Sequence, residues 1–153
     1  MLDQIKSFLA TGKYPHNSDV AKENDLYFAV AALLIESACS DGSFDVDERR
    51  CIMNLLESRF SIERADVEVL LGEAEQAVEG SGQLYGFTRI VKDKYDNTKR
   101  VNLIEMLWEV AFADGRVDSF EANVIQRVAG LIYVSDKDRG LARKRVMVRL
   151  GID

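Results

Sequence analysis

Eight carboxylates in this sequence recur in a pattern whose chemistry suits a hard cation. Glu36, Asp41, Asp45 and Glu48 surround Gly42; Glu109, Asp114, Asp118 and Glu121 surround Gly115. Each acid of the second set stands 73 residues after its counterpart, as do Gly115 after Gly42, Ala111 after Ala38 and Ile125 after Ile52. The shared string is E-x-A-x-x-D-G-x-x-D-x-x-E. Ligand sets made only of oxygen favour Ca²⁺, Mg²⁺ or Mn²⁺ over the metals that thiolates select. Carboxylates that converge repel by about 1 to 4 kcal/mol per close pair in a surface-like dielectric, and a divalent ion relieves that repulsion. The expected metal ligands are therefore Asp41, Asp45 and Glu48 with Asp114, Asp118 and Glu121, supported by Glu36 and Glu109. No organic cofactor is expected.

A purely architectural account covers the same string. Gly42 and Gly115 stand where a helix ends in a left-handed residue. Asp45 and Asp118 stand where the next helix needs an N-cap, and Glu48 and Glu121 fall three residues on, at the reciprocal position of a capping box. Each cap contributes about 1 kcal/mol. Asp41 and Asp114 fit this account poorly, because a helix C-terminus disfavours an anion. Glu36 and Glu109 end apolar stretches and need a counter-charge there, from Arg49, Arg50 or Arg127 or from a bound cation.

Other chemistries lack their parts. With Gly42 at the invariant glycine of an EF-hand loop, Asp41 and Glu48 fall on ligand positions, but the first and third positions become Ser37 and Cys39, and in the second copy Val110 and Phe112. The single histidine, His16, excludes a zinc site built on a histidine pair, and no Ser-His or Cys-His arrangement can be assembled. Cys39 and Cys51 read as small core residues, and Trp108 and Phe112 as core aromatics. Gly80, Gly82 and Gly86 have the wrong spacing for a dinucleotide fingerprint and follow no strand. An enzyme is not expected.

The bulk properties agree. The chain has 153 residues, 47% of them hydrophobic and 30% charged, with a net charge of −6. That charge argues against a nucleic-acid partner, which requires a basic face. Basic residues crowd the last segment, where Arg139, Arg143, Lys144 and Arg145 form a candidate surface for a protein partner. The opening residues lack the basic flank and apolar core of a secretory leader. The longest apolar run, Leu26 to Ile35, is about half of the roughly 20 residues that cross a bilayer. A cytoplasmic location follows as the expectation.

The acids must be positioned by helices, since helical periodicity runs through the chain and its only proline is Pro15. A short amphipathic helix is expected at Leu2 to Ala10, then a loop to Ser18. A long helix from Asp19 or Glu23 to Ser40 is apolar on nearly every face, which marks it as central. Helices follow from about Asp45 to Arg59, from Ile62 to Glu79 with Ser61 as cap, and from Leu84 to Tyr95. The pattern then restarts, with Thr98 capping a helix from Lys99 to Ala113, another from Ser119 to Leu131, and a basic last helix opened by Ser135. The expected fold is an all-α bundle of about seven to eight helices, with residues 1–18 as a leading segment and 19–153 as the domain. Within it, two three-helix repeats (about 20–79 and 98–150) are related by a pseudo-twofold axis.

The doubled A-x-x-D-G-x-x-D-x-x-E, carried by Ala38, Asp41, Gly42, Asp45 and Glu48 and again by Ala111, Asp114, Gly115, Asp118 and Glu121, resembles the TerB-like family of tellurite-resistance proteins over about residues 25 to 140. The second copy, with Ala113-Asp114-Gly115, is the closer match; the first has Ser40 where the second has Ala113. The resemblance implies an all-helical, cytoplasmic, non-enzymatic domain whose acidic positions form a metal site, with roles in tellurite, metal or phage stress. The competing implication is a protein–protein scaffold in which the acids serve only as helix caps.

Overall fold

The computed structural model describes residues 19–39, 45–81, 84–113, 117 and 119–152. The expected helix at Leu2 to Ala10, the loop with His16, and the corner residues Asp41, Gly42, Asp114, Gly115 and Asp118 lie outside them. Among the described residues there are seven helices and no strand. They are α1 (Asp19–Ala38), α2 (Val46–Phe60), α3 (Arg64–Ser81), α4 (Leu84–Lys94), α5 (Asn97–Ala111), α6 (Ser119–Leu131) and α7 (Asp136–Leu150).

The all-round apolarity of α1 has the expected consequence. Phe28 through Ile35 are fully buried without interruption, and α1 packs against α2, α3, α4, α5 and α6. The second centre is α5, where Leu103 to Trp108, Val110 and Ala111 are buried and which packs against α1, α2, α6 and α7. The outer helices each present a stripe to this pair: Ile52, Leu55 and Leu56 from α2, Val67, Leu70, Leu71 and Ala74 from α3, and Val124, Ile125 and Val128 from α6. The last helix contributes least, with only Ala142 and Val146 buried.

The caps show where residue type decided local structure. Asp45 Oδ1 accepts from the Glu48 backbone N–H at 2.9 Å, and Ser135 Oγ from the Asp138 N–H at 3.1 Å, both as expected. Two caps differ. The fifth helix is opened by Asp96, whose carboxylate accepts from the Lys99 N–H at 2.9 Å, instead of Thr98. Aspartate is the stronger N-cap, and starting two residues earlier lengthens the helix. Ser61 does not open α3; it closes α2 in the left-handed conformation, at φ 53° and ψ 42°. The third helix continues to Ser81, two residues past the expected end at Glu79.

Two substitutions should stabilise the fold for opposite reasons. Ser61→Gly removes a Cβ from the left-handed region and should add about 1 kcal/mol. Gly130→Ala places a methyl on an exposed helical position with nothing within 4 Å and should add about 0.5 to 1 kcal/mol. Both should raise the urea midpoint without changing the slope of the transition.

Candidate functional site

The described acids of the repeated string fall into three situations. Asp45 is a helix cap, its carboxylate directed at the backbone N–H of Glu48. Glu48 and Glu121, the equivalent glutamates of the first turns of α2 and α6, are both drawn into the interior, with 3% and 2% of their surface exposed. Glu36 and Glu109 stand in the last turns of α1 and α5, and the structure treats them differently.

Glu36 is half-buried and lines an open surface cleft of about 760 Å³ together with Phe120, Asn123, Val124, Gln126 and Arg127 of α6. Arg127, an expected counter-charge, thus shares a cleft with Glu36. The other two are engaged elsewhere: Arg49 pairs with Glu75 of α3 at 3.0 Å, and Arg50 with Asp47 at 3.6 Å.

Glu109 is instead part of an ion-pair network joining three helices. Its Oε1 receives Arg59 Nη2 from the last turn of α2 at 3.3 Å and the second guanidinium nitrogen of Arg149 from α7. Arg149 Nη1 also donates to Glu105 Oε1 at 3.1 Å, and Arg145 Nε lies 3.5 Å from Glu105 Oε2. The counter-charges of Glu109 are therefore Arg59 and Arg149, and not the arginines near the corners. A readable signal for the α5–α7 part existed. Glu105 and Glu109 are four apart on one helix, as are Arg145 and Arg149 on another. Each like-charged pair is unfavourable alone, and the two ladders neutralise each other.

The same contacts place the basic last helix. Arg145 faces Glu105, Arg139 pairs with Asp136 at 2.9 Å, and the Arg143 guanidinium sits 5.3 Å from the centre of the Trp108 ring. Of the four candidate partner-binding residues, Arg139, Arg143 and Arg145 thus have contacts within the chain. Lys144 is exposed.

Trp108 and Phe112 are buried as core aromatics, their rings 6.0 Å apart. Cys39 and Cys51 form no disulfide and pack against the core. Burial, and then the charges of Glu109 and Glu48, push the Cys51 thiol up from 9.0 to about 11, so it is protonated and unreactive near neutrality. Among the described residues, no three His, Cys, Asp or Glu side chains are grouped so as to hold a metal ion. No described helix is long and apolar enough to cross a membrane.

A family model described as tellurite resistance protein TerB matches residues 27–144. The chain belongs to the TerB family. No curated protein and no solved structure matches it. The TerB match runs from Tyr27 in α1 to Lys144 in α7; it contains both copies of the acidic string and Arg59, Glu105 and Glu109, and stops short of Arg145 and Arg149.

Two measurements test this description. Glu109→Gln leaves Arg59 and Arg149 without their shared anion and should cost about 1 to 2 kcal/mol; the difference should shrink in roughly 1 M salt, where the Debye length falls to about 3 Å. Cys51 should resist alkylation at pH 8 in the folded protein and react once urea unfolds it. Because the folded thiol holds its proton more tightly than the unfolded one, its contribution to stability is complete below pH 9 and should be lost between pH 9 and about 11.

Proposed function

We propose that this TerB-family chain is a non-enzymatic accessory module of the tellurite and metal stress response, built from two three-helix repeats. The observation that carries the reading is the family match over residues 27–144, which contains both copies of the acidic string. The element boundaries support the duplication: α1 ends at Ala38 and α5 at Ala111, while α2 begins at Val46 and α6 at Ser119, each pair 73 residues apart. Packing supports it too. As α3 lies on α1, α7 lies on α5; as α6 lies on α1, α2 lies on α5. Glu36 shares its cleft with Val124, and Glu109 acts on Cys51. Both positions in the second relation are equivalent, at the same offset, to those in the first, so each repeat sends its glutamate towards the outgoing helix of the other, as a pseudo-twofold axis requires.

At Asp45 and Glu109 the geometry favours the scaffold reading, in which the acids hold helix ends and arginines, and a partner protein docks on the last helix around Arg139, Arg143, Lys144 and Arg145. The second reading, a divalent cation (Ca²⁺, Mg²⁺ or Mn²⁺) at the corners formed by Asp41, Asp45 and Glu48 and by Asp114, Asp118 and Glu121, is favoured by the inward position of Glu48 and Glu121 at matching places in the two repeats.

Thermal unfolding with millimolar Ca²⁺, Mg²⁺ and Mn²⁺ separates the two. A cation present at about a hundred times its Kd should add about 2.7 kcal/mol, and Asp41→Asn with Asp114→Asn should abolish the gain. An unchanged melting temperature, or an equal gain in the double variant, supports the scaffold. The stress role predicts that cells lacking the gene become more sensitive to tellurite and recover when it is restored; unaltered sensitivity would count against it.

A further inference from the structure

The last helix divides its positive charges between two faces. Its arginines are used inward or along the flank: Arg139 on Asp136, Arg143 on Trp108, Arg145 on Glu105, and Arg149 on Glu105 and Glu109. With Ala142 and Val146 buried on the same side, these contacts fix which way α7 is turned. Among the exposed residues of α7, which also include Arg143, Arg145 and Arg149, four lie along one stripe: Lys137, Leu141, Lys144 and Val148. Their spacing of four, three and four is that of one seam of a helix–helix contact. Val148 is 80% and Leu141 40% exposed, and neither lysine has an ion-pair partner among the described residues.

We propose that this stripe of α7 is a docking seam for an acidic amphipathic helix of a partner protein. Leu141 and Val148 supply the apolar anchors at a one-heptad interval, and Lys137 and Lys144 between them select carboxylates on the partner. Electrostatics favours this occupant over the others. A second copy meeting the seam about a twofold axis would gather four lysines there and no seam carboxylate to balance them. An anionic membrane would repel the remainder of a chain of net charge −6, and two aliphatic side chains are a small apolar face for an interfacial helix. A single acidic helix meets the lysines of the stripe with opposite charge. The inference rests on the docking reading of the last helix and refines it.

The test uses the full chain and a fluorescein-labelled synthetic helix of about three heptads, with leucine at the seam positions and glutamate flanking them. A peptide of the same composition in scrambled order is the control. Fluorescence anisotropy at about 50 mM salt should show saturable binding of the patterned peptide, weakened at least about tenfold by Val148→Glu and by Lys144→Glu. Both substitutions are on exposed positions and should leave the melting temperature unchanged. Arg89→Glu, an exposed charge reversal on α4, should leave binding unchanged.

Any of these results would overturn the seam: equal binding of the scrambled peptide, an equal loss with Arg89→Glu, no saturation below about 1 mM, or binding to phosphatidylcholine vesicles with about 30% phosphatidylserine that Val148→Glu abolishes. So would a concentration-dependent dimer that Val148→Glu dissociates. Peptide binding that survives Val148→Glu and Lys144→Glu but is lost with Arg143→Glu would keep docking on the last helix and overturn this seam.

Discussion

The contact between α1 and α5 is the constraint from which the rest of the bundle follows. A helix apolar on one side needs one neighbour; a helix apolar all round needs neighbours on every side. From Phe28 to Ile35 no position of α1 is left to water, and burying each large side chain there contributes about 1.5 to 3 kcal/mol. The outer helices α2, α3, α4 and α6 complete that enclosure, and their own stripes are spaced accordingly. In the sequence, each copy of the acidic string begins in the last turn of a central helix, at Glu36 in α1 and Glu109 in α5.

The polar side of the structure is arranged around the same two helix ends. Glu36 and Glu109 are the last-turn carboxylates of the central helices, yet their surroundings differ: an open cleft with Arg127 for one, three-helix ion pairing for the other. The asymmetry has a local cause. The outgoing helix beside Glu109 carries Arg59 at its last turn, and α7 brings Arg149 from the other side. These ion pairs and Arg143 over Trp108 add to the burial of Ala142 and Val146 and the packing of Met147 in orienting α7.

Much of this architecture was legible in the residues themselves. The apolarity of α1, the restart of the pattern at α5, the caps at Asp45 and Ser135, and the TerB resemblance all rest on local periodicity, cap chemistry or short motifs. Ser61 and Thr98 were misread for a shared reason. Serine and threonine are acceptable caps in isolation, but the end of α2 recruited Ser61 for a left-handed closure, and Asp96 outcompeted Thr98 two residues upstream.

What the sequence by itself determined is the helical class, the two apolar centres, and the acidic string at the end of each, because these depend on contacts within three or four residues along the chain. Only the tertiary structure decided what those acids face. Glu109 meets Arg59 and Arg149, 50 and 40 residues away, and no periodicity links positions so distant. It likewise decided which residues of α7 are spent on internal contacts, since a basic helix reads the same from sequence whichever face is turned inward. The physical reason is that propensity and capping act along the backbone, whereas charge pairing acts through space after the core has brought the helices together.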